Sequence, residues 1–355
     1  MNILGIAACS HDGAVCLLRD GEIVASARDE QVDRKEQGSV FSARSIACCL
    51  QAAEISVGEL DIIAVDAQPL VSFKRILKTA LAVAPAGFRC FVQEMSPWLE
   101  QQFRLKNHIA EKTGFSGTIL LPEHHEALAA SAFFTSPFQE AAILTVDGIG
   151  EQTTTGYGLG TEAGVTVLAE MLFPHSPGLL YAAFFHFLGL KGDFGAGTLA
   201  EMAARGRPKY KNLILSTLLD LKDDGSFKLN MDYFDYGPGR IVANTKFARL
   251  FDRSPQPAES SLSTTDVDIA CSIQAVIEKI LLLMMEHVQR KTGRKNLCLA
   301  GELAGACAAG GRLQGLSSYD EIRVQPAAGG AGAASGAALF AWHQYLGNGK
   351  SVISE

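Results

Sequence analysis

A single pattern occurs twice in this chain, and nothing else in the sequence restricts its fold as tightly. Ile3 to Ala8 is an apolar run that ends in His11-Asp12-Gly13; Ala14 to Leu18, an Asp20-Gly21 turn and Glu22 to Ala27 follow. Ala141 to Val146 is a second such run, ending in Asp147-Gly148, and it leads into Thr153 to Leu159, a glycine-containing turn and Val165 to Leu172. Apolar runs of strand length separated by Asp-Gly and other glycine turns read as a β-meander. A meander opening each half predicts two related α/β lobes with a central cleft. The expected division is 1–138 for the first lobe, 139–345 for the second and 346–355 for a frayed tail.

The intervening segments fit that architecture. Ser42 to Ala53 and His124 to Phe134 read as helices that pack on a sheet, Leu60 to Val65 and Gly117 to Leu121 as short strands. Asp266 to Arg290 reads as a long helix with Ile269, Ile273, Val276, Ile277, Ile280 and Leu281 on one stripe. Within it, Ile280 to Met285 is apolar on all sides, which means either deep burial or a docking face for a partner. Leu297 to Ala300 and Ile322 to Val324 read as strands and Ala331 to Tyr345 as a helix of small residues. Asp223 to Ser226 reads as a hairpin tip, and Ser254 to Ser261 as a proline- and serine-rich connection.

Composition removes several classes of function. The chain has 355 residues, 48% of them hydrophobic, enough for a large core. A net charge of −7 opposes nucleic-acid binding, which needs a basic field, and Arg205, Arg207, Lys209 and Lys211 read as a solvated loop. No apolar run reaches the roughly 20 residues that cross a bilayer, and Met1 to Gly5 lacks the start of a signal peptide, so a cytoplasmic protein is expected. The eight cysteines form no C-x-x-C pair and read as reduced structural thiols, Cys307 included.

Two glycine loops carry a contradiction. Leu299 to Gly311 and Gln325 to Gly336 each follow an apolar run, as in loops that bring backbone N–H groups onto phosphate oxygens. Between Gln325 and Leu339, however, there is not one ionisable side chain to hold a metal or a ribose. The frame is that of an enzyme; its polar contents are missing.

Four segments bear a resemblance. Phe173 to Tyr181 (FPHSPGLLY), Leu221 to Phe234 (LKDDGSFKLNMDYF), Ile143 to Glu151 (ILTVDGIGE) and Glu123-His124-His125 are similar to signatures of the O-carbamoyltransferases of nodulation-factor and antibiotic biosynthesis. That family is related to the enzymes that put a threonylcarbamoyl group on tRNA. The likeness runs from about residue 2 to about residue 345. It implies a duplicated actin-like, ribonuclease-H-like fold. It also implies a chemistry in which carbamoyl phosphate and ATP give carbamoyl-adenylate, whose carbamoyl group passes to an alcohol. In the family a separate C-terminal domain makes the adenylate, and this chain is expected to stop short of it.

The resemblance also locates losses. The family holds an iron-type metal through two histidines four residues apart on one helix face and aspartates from two loops. Here His124 and Asp147 remain, but Leu128 and Gly330 stand at the other two positions, and His125 points elsewhere on the helix. The remnant pair is expected to hold no metal. The family's acidic and basic nucleotide contacts correspond to Ala196 and Thr198, and Glu302 brings a negative charge to a would-be phosphate. The loops of Gly148, Gly301 and Gly329 therefore read as degenerate cofactor loops. No cofactor is expected; ATP, carbamoyl-adenylate and ferrous ion would bind only if donors from elsewhere rescued the site.

Three functions follow as expectations. The first is a non-catalytic binding or scaffolding subunit, paired with a carbamoyltransferase-like or other pathway enzyme or with a second copy. Ile280 to Met285 and Ala331 to Leu339 would be its contact elements, and neither nucleic acid nor membrane would be a partner. The second is a transferase of altered carbamoyl or acyl chemistry with His11 as general base, helped by Asp12 or His175. The third is a ligand-binding module whose cleft takes a less charged metabolite without turnover.

Overall fold

The structure is a computed structural model that describes all residues except 9–12, 30–41, 83, 86–87, 191–195, 238–239, 254–261, 309–311, 327–328 and 351–355. His11, Asp12 and the 254–261 connection thus lie outside the described residues.

Each meander forms one side of a five-stranded sheet. In the first lobe β1 (Asn2–Ala7), β2 (Ala14–Arg19), β3 (Glu22–Arg28), β4 (Ile62–Val65) and β5 (Thr118–Leu120) lie in the order β3-β2-β1-β4-β5. In the second, β6 (Ala141–Val146), β7 (Thr153–Thr161) and β8 (Gly164–Leu172) join β13 (Asn296–Ala300) and β14 (Glu321–Val324) in the order β14-β13-β6-β7-β8. Read from the opposite edge, the second order repeats the first. In both sheets the opening strand is central, antiparallel to its meander neighbour and parallel to the strand on its other side. The architecture is a duplicated, mixed α/β fold, as the two meanders predict.

The helices His124–Phe134 and Gly330–Leu339 follow β5 and β14 and pack on each other in the interior. Their close approach needs small residues: a Cβ on Gly336 would sit 1.9 Å from the Ala127 carbonyl oxygen, and β1 lies equally close to the second helix, a Cβ on its Gly5 falling 2.0 Å from the Ala334 carbonyl oxygen. This corrects one expectation. The stretch Ala331 to Leu339 is interior and is not a partner contact. Ile280 to Met285 is corrected likewise: within the helix Thr264–Thr292, Ile280, Leu281, Met284 and Met285 are buried in the second lobe's core.

Two small hairpins, β9 (Leu219–Leu221) with β10 (Phe227–Leu229) and β11 (Phe234–Gly237) with β12 (Arg240–Ala243), flank that core. The Asp223 to Ser226 tip falls where the sequence puts it, and Gly225, at φ +81, packs against the backbone of Met284. The expected fraying of 346–355 is corrected as far as residue 350. Lys350 Nζ donates to the carbonyls of Phe133 (2.8 Å) and Phe138 (2.5 Å) and to Ser136 Oγ (3.2 Å), and lies over the Phe133 ring. Among the described residues no helix is long and apolar enough to cross a membrane.

Between β4 and β5 the first lobe carries the helices Pro69–Ala82, Phe88–Pro97 and Leu105–Thr113. A wide turn, Trp98–Gln102, joins the last two.

Candidate functional site

The site forms where strand ends of both lobes meet the first turn of the helix His124–Phe134. A parallel strand must end at its carboxyl edge in a loop, and such edges collect polar groups. Asp66 lies one residue past β4, Asp147 one past β6, and Glu151 in the turn before β7. His124 sits between them: Nδ1 is 2.8 Å from Asp66 Oδ2 and Nε2 is 3.1 Å from Asp147 Oδ2. Asp66 is fully buried, and its other oxygen accepts from the backbone N–H of Ala8 at the end of β1. Asp147 Oδ1 accepts from Gly148 N–H at 2.7 Å. Glu151 Oε1 accepts from Gln68 N–H at 2.8 Å, and both its oxygens lie 3.3 Å from the His124 amide nitrogen.

Burial opposes a charge on His124, but hydrogen bonds and charge from Asp147 and Asp66 outweigh it and hold the imidazole pKa well above its ordinary value. Burial would raise the Asp147 carboxyl; its hydrogen bond to His124 and the His124 charge hold it low instead. The imidazole is thus clasped by two carboxyl groups that favour its protonated form. His125 is the opposite case. Burial, with the charge on His124, pushes its pKa down to about 3, so it is neutral. Its Nε2–H donates to the Thr153 carbonyl (3.1 Å), leaving Nδ1 to accept from the Thr145 hydroxyl (2.7 Å). The Glu151 carboxyl is pushed up to about 7 by burial, against the pull of the His124 charge and its backbone hydrogen bonds.

These residues do not fit a resident ferrous ion. A metal needs free donor lone pairs, and both ring nitrogens of His124 are already engaged by carboxylates. Of the four family positions, Leu128 lies among apolar core residues and Gly330 has no side chain, so neither can donate. His124 and Asp147 do come together as expected, but they bond to each other.

The remaining expected site residues divide. Gly301, at φ +101, permits close packing of strand ends: a Cβ there would sit 2.1 Å from the Val146 carbonyl oxygen. Gly329, at φ +66, caps the helix Gly330–Leu339. The Gly148 carbonyl accepts from Ser176 Oγ at 2.6 Å, which ties that loop to the helix Pro177–Phe187. His175 is half-buried; its Nδ1 accepts from Leu229 N–H at 3.1 Å, which points the ring at the β10 hairpin, and burial together with Lys228 lowers its pKa. Asp66 and Gln68 were not legible as site residues, although Val65-Asp66 ends its strand just as Val146-Asp147 does.

A duplicated sheet with the site between its halves is the arrangement of actin-like proteins. Component A of the Acidaminococcus fermentans (R)-2-hydroxyglutaryl-CoA dehydratase aligns over 96% of this chain and 97% of its own, with a TM-score of 0.50 and 16% identity. HypF of T. kodakarensis aligns over 98% of this chain and 48% of its own, at a TM-score of 0.50 and 14% identity. These likenesses concern the fold alone. The sequence is more specific: the family described as Carbamoyltransferase N-terminus matches residues 2–339, and the chain belongs to that family. The uncharacterized protein sll1178 of Synechocystis is 46% identical over 359 residues, 99% of this chain and 58% of the relative. Nodulation protein NolNO of Sinorhizobium fredii is 30% identical over 335 residues, 93% of this chain and 46% of the relative. The chain therefore spans about half the length of the curated relatives it matches.

Proposed function

We propose that this chain is a carbamoyltransferase-family domain that acts as a binding subunit and does not itself carry out metal-dependent carbamoyl transfer. One observation carries the reading: both ring nitrogens of His124 are committed to Asp66 and Asp147, while Leu128 and Gly330 supply no donor. Binding a divalent ion at His124 would require breaking its hydrogen bond to Asp66 or to Asp147. A carbamoyltransferase-like or other enzyme of the same pathway is the partner class this implies. The test is calorimetric titration of ATP, then of a carbamoyl-adenylate analogue, with and without ferrous ion. No heat is expected. Micromolar, metal-dependent binding would overturn the reading.

A second reading rests on Glu151. A buried carboxyl poised near pH 7 is suited to take a proton from an alcohol. In that case the chain would transfer a carbamoyl or acyl group from a pre-activated donor, with Glu151 beside or in place of His11. Product formation abolished by Glu151→Gln but retained in His11→Ala would favour it.

A further inference from the structure

With the two expected contact elements buried, the described surface offers a different one. The helices Pro69–Ala82 and Phe88–Pro97 pack on each other and on the turn that follows, with Ile76 and Trp98 buried and Trp98 Nε1 donating to the Pro69 carbonyl at 2.9 Å. Their outer face is apolar as well. Leu70, Leu77 and Leu81 recur along one side of the first helix, with Lys74 and Lys78 beside them. Leu81 is 69% exposed and Phe88 70%, and Val92 and Phe103 are exposed as well. Large apolar side chains gathered on an exposed face mark a surface that a partner can cover. Next to the stripe, a cavity of about 420 Å³ opens between Leu70, Trp98, Phe103 and Leu121, large enough for an anchoring side chain.

The charge on this segment restricts its occupant. Residues 69–106 carry six Lys or Arg against two Glu, in a chain whose net charge is −7. Two copies joined by a two-fold axis through this face would set basic against basic, which disfavours self-association here. The family domain is by description an N-terminal one, and its longer relatives contain a further portion beyond the match. We infer that the 69–104 face docks the portion that those longer relatives carry beyond the matched domain, through an apolar surface with an acidic rim. This rests on the binding-subunit reading above.

The face is wired to the site. Arg75, on the same helix, donates through Nε to the Glu151 carbonyl at 2.8 Å and pairs with Glu94 of the next helix at 2.9 Å. Gln68, at the helix start, holds the Glu151 carboxylate. Docking therefore bears on the turn that holds Glu151 against the His124 amide.

The probe is the part of the Synechocystis relative outside the match, produced separately and titrated into this chain. Binding weakened at least roughly tenfold by Leu81→Asp with Phe88→Asp, and by Lys74→Glu with Lys78→Glu, is expected. Leu168→Asp, on the exposed edge strand of the other lobe, should leave it unchanged. Equal affinity for all variants, no binding by a folded probe, or face-dependent binding to phosphatidylglycerol vesicles instead would overturn the assignment. If circular dichroism shows the isolated probe unfolded, it is fused behind Lys350. Slower amide exchange along 70–81 and 88–96 is then expected, and unchanged exchange overturns the proposal. ATP titration tests the binding-subunit reading separately, so failure of one is distinguishable from failure of the other.

Discussion

The two lobes share one strand order and differ in what they place at its edge. One residue past β4 stands Asp66; one residue past β13, its counterpart, stands Gly301. The helix that follows β5 opens with His124-His125, and the helix that follows β14 opens with Gly330. The first lobe keeps the buried ionisable groups Asp66 and His124, and His124 bonds across to Asp147 and Glu151 of the second. The second lobe keeps glycines that its backbone packing demands. Positional and chemical requirements are thus separable: Gly301 is needed for strand contact whether or not anything binds there.

The largest way to break this comparison is Asp66→Ala. Removing one carboxylate leaves the buried imidazolium half-compensated, and unfolding in urea should show a loss of about 4 kcal/mol. Gly301→Ala, at the equivalent place in the second lobe, should cost about 2–3 kcal/mol through positive φ and contact with the Val146 carbonyl. A neutral outcome would mean that the glycine serves ligand access and not packing.

A smaller effect tests the charge state. Both His124 and Glu151 have raised folded pKa values, so each binds its proton more tightly folded than unfolded. Their stabilisation is complete at acid pH and is lost as pH rises: through about 7 for Glu151, and above 6.5 for His124. Stability should therefore fall between about 4.5 and 7 through Glu151 and from 6.5 upward through His124, by at most about 1.4 kcal/mol per pH unit per group. In His124→Gln the decline above 6.5 should flatten. An unchanged slope would mean that His124 is neutral in the native state. The smallest expected change is Lys350→Ala, about 1 kcal/mol from lost hydrogen bonds to the Phe133 and Phe138 carbonyls, read as a lowered Tm.

Local patterns were legible in the sequence and long-range pairings were not. The helix His124–Phe134 has the ends its sequence suggests. The long helix begins at Thr264, two residues before Asp266, because Ser263 and Asp266 form a capping box, and it runs to Thr292 because Gly293 ends it in a left-handed turn. His124 and Asp147 could be picked out by motif. Asp66 is 58 residues from the histidine it holds, and no local periodicity reports such a pairing. All-round apolar helices were the hardest to read. For Ile280 to Met285 deep burial and docking look alike in a sequence, and only the packed structure separates them from the exposed stripe at Leu70 to Phe103.

The helix His124–Phe134 has a further consequence. A helix start carries partial positive charge and unpaired amides, which is why phosphates settle there; its end attracts cations. Here the His124 amide faces the Glu151 carboxylate, Asp66 and Asp147 flank the same turn, and the Lys350 ammonium sits on the last carbonyls. Both poles of the helix are already answered by groups of the chain itself. A phosphate at this turn would meet the carboxyl groups of Asp66, Asp147 and Glu151 and an amide already bonded within the chain.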